Sequence, residues 1–321
     1  MAPYFHFVQI GSELCQFYRF YLIEVNGLKK HYKNGKIKAL NGITTKIKQG
    51  EVVCIIGPSG SGKSTIGRTI IRLNEPTEGK ITFKGMDISG KLDKQTKDVL
   101  RSKMMMIFQD PMASLNPRKT IGDIIGEGLD IHHMYSSKEE RQEKIYSILQ
   151  KVGLSKDHYN RYPHQFSGGQ RQRVGIARAL VMNPDLIIAD ECISALDVSI
   201  QAQVVNLIKD IQAETGAAYM FIAHDLSMVK YISDRIGVLH LGHMLETGTT
   251  EEIFANPIHP YTRSLISAIP LPNPIAEKKR VAETYNYMKS GISYTNGYYH
   301  HVDGTHWVLG TSEEYEKWTQ K

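Results

Sequence analysis

The run Gly57-Pro58-Ser59-Gly60-Ser61-Gly62-Lys63-Ser64-Thr65 is a complete G-x-x-x-x-G-K-S phosphate loop, and it follows the apolar stretch Val52-Val53-Cys54-Ile55-Ile56. Few sequence features constrain a fold as tightly. An apolar run this short reads as a buried strand, and the loop must then turn from the strand's C-terminal end into a helix, expected over Ser64 to Leu73. The glycines let successive backbone N–H groups turn inward around a phosphate, Lys63 reaches the outer phosphate oxygens, and the Ser64 hydroxyl is placed to ligate Mg2+. The helix N-terminus adds its positive end. A glycine-rich turn that matched by chance would lack the strand before it and the helix after it. The expectation is ATP or GTP bound to an α/β domain.

A second run, Pro184-Asp185-Leu186-Ile187-Ile188-Ala189-Asp190-Glu191, has the composition of a buried parallel strand ending in two acids. Asp190 is expected to hold Mg2+ through water, and Glu191 to polarise a water that attacks the γ-phosphate. Most acid pairs are solvated surface charges, but this one ends a buried strand in a chain that already has a phosphate loop. Between the two lies Ser167-Gly168-Gly169-Gln170, followed by Arg171-Gln172-Arg173-Val174-Gly175-Ile176-Ala177-Arg178-Ala179-Leu180 at helical spacing. An ordinary Ser N-cap explains this run on its own. Its small residues and free N–H groups also suit an anion, which gives the chain two phosphate-binding helix starts and one lysine.

These residues, in this order, resemble the ATP-binding-cassette family over nearly the whole chain. The phosphate loop, the acid-tipped strand and Ser167-Gly168-Gly169-Gln170 are similar to that family's Walker A, Walker B and signature motifs. Gln109, after Met104-Met105-Met106-Ile107-Phe108, matches its Q-loop, a further Mg2+ and nucleotide contact. Ser194-Ala195-Leu196-Asp197 matches its D-loop, His224 its switch histidine, and Tyr32 the aromatic residue that stacks on adenine. The resemblance implies a P-loop NTPase (RecA-like) α/β core with an antiparallel β-subdomain and an inserted helical subdomain. It also implies two cassettes packed head to tail, the signature of one closing on the γ-phosphate held by the other.

A closer resemblance is to the ATP-binding subunits of oligopeptide and dipeptide importers. It rests on Phe108-Gln109-Asp110-Pro111-Met112-Ala113-Ser114-Leu115-Asn116-Pro117-Arg118 and on His259-Pro260-Tyr261-Thr262-Arg263-Ser264-Leu265-Ile266-Ser267-Ala268-Ile269-Pro270. The tail, with Glu277-Lys278-Lys279-Arg280 and Glu313-Glu314-Tyr315-Glu316-Lys317-Trp318, resembles the F-type more than the D-type subunit. This second resemblance implies a peripheral subunit on the cytoplasmic face of the cell membrane. Its implied partners are a D-type cassette in a heterodimer, two transmembrane permease subunits and, indirectly, an extracytoplasmic peptide-binding protein. Residues 22–256 then form the cassette, with the helical subdomain at about 113–182, and 257–321 the importer's C-terminal extension. Residues 1–21 precede the first expected strand, Leu22-Ile23-Glu24-Val25, and lack the basic start and continuous apolar centre of a signal peptide.

Cys192 stands where the family usually has proline, so a donor-free residue gives way to one with an N–H and a thiol. A thiol beside Glu191 is expected to make the site sensitive to modification. Cys15, Cys54 and Cys192 have no paired spacing, which argues for a reducing compartment and against structural zinc. Some importer subunits of this kind resemble carriers of a cysteine-bound iron–sulfur cluster after the cassette; no cysteine follows Cys192, so none is expected here. Hydrophobic content of 41% and mean hydropathy of −0.31 suit a globule, and no stretch nears the roughly 18 apolar residues of a membrane span. The net charge of +6 is too diffuse for nucleic-acid binding. Ile145, Ile148, Leu149 and Val152 mark a helix over Lys138 to Val152. His132-His133 reads as a surface pair, and His300, His301 and His306 as loop histidines in a small folded tail carrying many tyrosines.

Three function classes remain: an importer ATPase, a cassette ATPase of repair or translation unconnected with transport, and a regulatory cassette that does not hydrolyse. Repair ATPases separate the two phosphate motifs by long coiled coils, whereas Lys63 and Ser167 are 104 positions apart without sustained heptads. Translation proteins of this type carry two cassettes, and a regulatory one would lack Glu191 or His224. The importer reading is favoured, with nickel or another substrate as the alternative cargo.

Overall fold

The computed structural model describes residues 21–110, 114–193, 197–270, 277, 278, 280 and 282–320. The residues before Tyr21, Cys15 among them, lie outside these, as do Pro111, Met112 and Ala113 of the extended Q-loop, Ser194, Ala195 and Leu196 of the D-loop, and Lys279. Two sheets organise the molecule. The smaller is antiparallel, ordered β2-β1-β4-β5, with β1 at Tyr21–Tyr32, β2 at Ile37–Lys48, β4 at Glu78–Phe83 and β5 at Met86–Asp87. The first strand begins one residue before the expected Leu22, because Tyr21 already pairs with Lys48.

The larger sheet is ordered β11-β12-β10-β9-β3-β8-β7-β6. Its strands are β3 (Val52–Ile56), β6 (Met104–Ile107), β7 (Leu186–Asp190), β8 (Ala218–Ala223), β9 (Arg235–His240), β10 (His243–Thr249), β11 (Tyr298–Asp303) and β12 (His306–Gly310). Strands β6, β7, β8, β3 and β9 run parallel, and β10, β12 and β11 continue antiparallel. Every residue of β3, β7 and β8 is buried, as parallel strands covered on both faces require. Alternation divides β3 between two cores. Val53 and Ile55 face the small sheet together with Ile66 and Ile70, while Val52, Cys54 and Ile56 join the helical side.

The middle of the chain is helical as its periodicity predicts, with helices at Ile121–Ile131, Lys138–Lys151 and Gly168–Leu180. Ile145, Ile148, Leu149 and Val152 are all buried. The helix after the phosphate loop is shorter than expected: it spans Lys63–Ile70 and does not reach Leu73. Arg72 takes a left-handed φ of 62°, and the amides of Leu73 and Asn74 turn back onto the Arg68 carbonyl, which closes the helix end.

The tail is part of the large sheet. Glu246 and Thr247 of β10 pair with Val308 and Trp307 of β12, and the last helix, Ser312–Thr319, lays Trp318 against Ile258 and Val308. His306 is therefore no surface loop histidine. It is buried on β12 with its Nε2 2.7 Å from Oε1 of the fully buried Glu246, whose carboxylate also accepts the backbone N–H groups of Ile258 and His259. His300 lies on β11, stacked on Tyr315, and His301 follows it.

Candidate active site

The parallel register brings the predicted residues to one edge. Ile56 lies opposite Ala223, Asp190 opposite Ile222, and Ile107 opposite Ala189. The residues that leave these strands are Gly57, Glu191, His224 and, two past Ile107, Gln109. They gather at the carboxyl ends of adjacent parallel strands, where open α/β sheets bind ligands.

The phosphate loop owes its path to close approach. A Cβ on Gly57 would lie 2.0 Å from the Leu239 carbonyl oxygen, and one on Gly62 2.3 Å from that of Ala39. Gly62 also takes a φ of 106°, which admits glycine readily and L-residues rarely. The Lys63 ammonium, largely buried, donates to the carbonyls of Gly57 and Pro58 at 2.9 Å each and lies 3.7 Å from Oε1 of Glu191. The Ser64 hydroxyl donates to Oδ1 of Asp190 at 2.8 Å, and Arg68, one turn further along the helix, sets Nη2 3.5 Å from Oδ2. Burial pushes the Asp190 carboxyl above its ordinary pKa; the Ser64 hydrogen bond and the Arg68 charge oppose that rise.

Glu191 is in the left-handed region with φ of 45°, and its N–H is held by the Ile222 carbonyl. The carboxylate accepts from Nε2 of Gln109 at 2.9 Å, so the Q-loop and the acid are in direct contact. Glu191, Cys192, Gln201 and the exposed His224 line one cavity of about 50 Å3. The Cys192 thiol is buried and pushed up to about 12 by desolvation. Burial of the thiol and its raised pKa correct the expectation of a thiol-sensitive site.

Other predicted residues stand apart. Ser167 caps the helix Gly168–Leu180 by accepting from the Gln170 amide, and Gln170 returns the bond to the Ser167 N–H. Among the described residues no hydrogen bond or ion pair joins this helix start to the phosphate loop. Asp197 caps the helix Val198–Thr215 by position, with no side-chain bond to it. The Tyr32 hydroxyl accepts from Asn74, and the Lys30 ammonium sits 4.9 Å from its ring. Sequence reasoning missed Arg68, and also Leu239 and Gly242, whose turn supports the loop. No motif marks these positions.

Comparison with known proteins agrees with this geometry. A family model described as "ABC transporter" matches residues 40–194, and one described as "Oligopeptide/dipeptide transporter, C-terminal region" matches 245–291. The chain is 52% identical over 301 residues to an oligopeptide transport ATP-binding protein, OppF, of Bacillus subtilis, covering 92% of this chain and 98% of that one. The chain belongs to the ATP-binding-cassette transporter family. This cassette is also 50% identical over 303 residues to OppF of Streptococcus mutans, covering 94% of this chain and 98% of that protein. Among solved structures, the dimeric post-hydrolysis state of the cassette MJ0796, bound to ADP and Pi, matches with a TM-score of 0.65 at 33% identity, covering 71% of this chain and 98% of that one. CbiO1 of Clostridium perfringens matches at 0.67 and 29%, covering 73% and 91%. The α/β P-loop fold and the ATPase class read from the sequence both stand.

Proposed function

We propose that this cassette is the ATP-hydrolysing subunit of an importer of oligopeptides or dipeptides. The observation that carries the reading is the match of residues 245–291 to the oligopeptide/dipeptide transporter region, in a chain whose hydrolytic residues converge. ATP is the substrate, its phosphates cradled by Gly57 to Thr65 and its adenine against Tyr32. Glu191 orients the attacking water and takes its proton, Gln109 holds that carboxylate, and His224 senses the γ-phosphate. Lys63 leaves its carbonyl partners and stabilises charge on the transferring phosphoryl group, since such reactions depend chiefly on positioning and electrostatics.

The chemistry of the donor set supports Mg2+. The Ser64 hydroxyl and the buried Asp190 carboxylate are two hard oxygen donors already in contact, and Gln109 offers a third. Among the described residues no cluster of three or more His, Cys, Asp or Glu forms a complete cage, which suits an ion that takes its remaining ligands from phosphates and water. Bound there, Mg2+ neutralises phosphate charge.

Ser167, Gly168, Gly169, Gln170 and Asp197 serve a second cassette's nucleotide, as supported by their separation from this chain's own phosphate loop. That second cassette is a D-type subunit in a heterodimer. An apolar groove of about 580 Å3 between β6 and the helix Ile121–Ile131 carries the exposed Leu73 and Ile131 with Met105, Phe108 and Met182, and it seats a permease subunit on the cytoplasmic face of the membrane. No described helix is long and apolar enough to cross a membrane. The test is ATP-driven peptide uptake into vesicles holding two permease subunits and this chain, supplied with the extracytoplasmic peptide-binding protein, with and without a D-type partner. Uptake requiring both cassettes is expected; full uptake without the second rules out the obligatory heterodimer, and no peptide uptake in any combination rules out the peptide cargo.

A further inference from the structure

The turn between β9 and β10 has two faces. Toward the nucleotide site its backbone holds the phosphate loop: the Gly242 N–H donates to the Ser61 carbonyl at 2.9 Å, and the Leu239 carbonyl oxygen fills the space where Gly57 would carry a side chain. Ser61 itself is buried between loop and turn. The Gly242 carbonyl accepts from the Asn41 amide at 2.8 Å, so the turn is pinned to β2 as well. Toward the tail the same turn presents His240 into a ring of tyrosines, with the His243 ring beside it, 5.5 Å from that of Tyr294. Tyr261 stands 4.7 Å from His240, Tyr294 5.6 Å and Tyr287 5.7 Å, centroid to centroid. Nδ1 of His240 and the hydroxyl of Tyr294 share a hydrogen bond of 2.7 Å, and that hydroxyl is 3.1 Å from the hydroxyl of Tyr285.

We infer that Tyr294, acting through His240, is a positioning residue for the phosphate loop, so that the C-terminal extension sets the affinity of the cassette for ATP. Leu239 and Gly242 flank His240 within two residues, and both touch the loop. A turn so short has few independent torsions, so anchoring the His240 ring restricts the two backbone groups that shape the cradle. Tyr294 is 5% exposed, which keeps water from replacing its hydroxyl as the partner of Nδ1. The loop grips phosphate in ground and transition states alike, so loosening it weakens binding of both and raises KM more than it lowers kcat.

The experiment uses the purified full chain, an ATP analogue with a fluorescent ribose substituent, and the steady-state ATPase of the complete transporter. Tyr294→Phe keeps the ring and deletes one hydroxyl; His240→Ala deletes the other partner. Each is expected to raise Kd and KM for the nucleotide three- to tenfold with kcat within twofold, and the double variant to be no worse than the worse single one. His240→Asn, whose amide oxygen can stand in for Nδ1, is expected to restore most of the affinity. Unchanged Kd in Tyr294→Phe overturns the inference, as do single effects that multiply in the double variant. A lowered melting temperature with unaltered Kd and KM also overturns it, because that is the outcome of a purely structural contact.

Discussion

The two halves of the large sheet handle polar groups in opposite ways. In the parallel half, Asp190, Glu191, Gln109 and His224 sit at or just past strand ends and Lys63 opens the helix after the phosphate loop, with Glu191 bonded to Gln109 and 3.7 Å from the Lys63 ammonium. In the antiparallel half, Glu246 is placed within β10, fully buried, and its carboxylate is committed to the Ile258 and His259 amides and to His306. In the function proposed above, polar groups at strand ends serve chemistry, and they can be altered at small cost to the fold. A polar group in mid-strand serves the fold, because nothing else can satisfy what it holds.

Exchanging the acids one at a time tests that contrast. Glu191→Gln leaves shape and fold in place and removes a proton acceptor, so ATPase of the assembled transporter should fall roughly 10²- to 10⁴-fold while nucleotide Kd stays within about twofold. Turnover near that of the unaltered protein would take Glu191 out of the reaction. Glu246→Ala should do the reverse: it orphans two buried amides and a buried ring, and urea unfolding should report a loss of about 3–5 kcal/mol. A midpoint as high as that of Glu191→Gln would show the two halves to be alike.

Acid should reach the antiparallel half through His259, whose Nδ1 accepts from the Tyr261 amide at the start of the helix Pro260–Ser267. Burial lowers this imidazole from 6.5 to about 3. The unfolded chain therefore takes up a proton below about 6.5 that the folded chain refuses until about 3, so stability falls as pH is lowered across that window. By pH 5 the loss from this ring should approach about 2 kcal/mol. His259→Asn, which keeps a capping acceptor, should flatten the urea midpoint between pH 7 and 5; an unchanged slope would remove His259 as the cause. The smallest effect expected concerns Cys192. Maleimide should label it in the native chain at least about 100-fold more slowly than in urea, read by mass of its peptide, because the thiol is buried and protonated. Rapid native labelling would mean that the turn behind Glu191 opens often.

The site was largely legible because each motif carries its own local mechanism. Glycines at 57 and 62, a lysine at 63 and an apolar run ending in Asp190 mean the same thing wherever the chain places them. The tail was not, because its meaning is in pairing. Nothing in His300, His301 or His306 says that one faces a buried glutamate 60 positions earlier. Cys192 was half legible: its identity was plain, and its burial was not.

The sequence by itself therefore determined the phosphate loop, the acid-ended strand, the signature cap and the order in which they occur. These depend on residue type and on spacing along one strand, loop or helix. Only the tertiary structure decided that Arg68 backs Asp190, that the β9–β10 turn holds the phosphate loop with one face and the tyrosine ring with the other, and that the tail completes the cassette's own sheet. Such contacts join residues tens to hundreds of positions apart, where register and packing set the distance and local pattern carries no record of it.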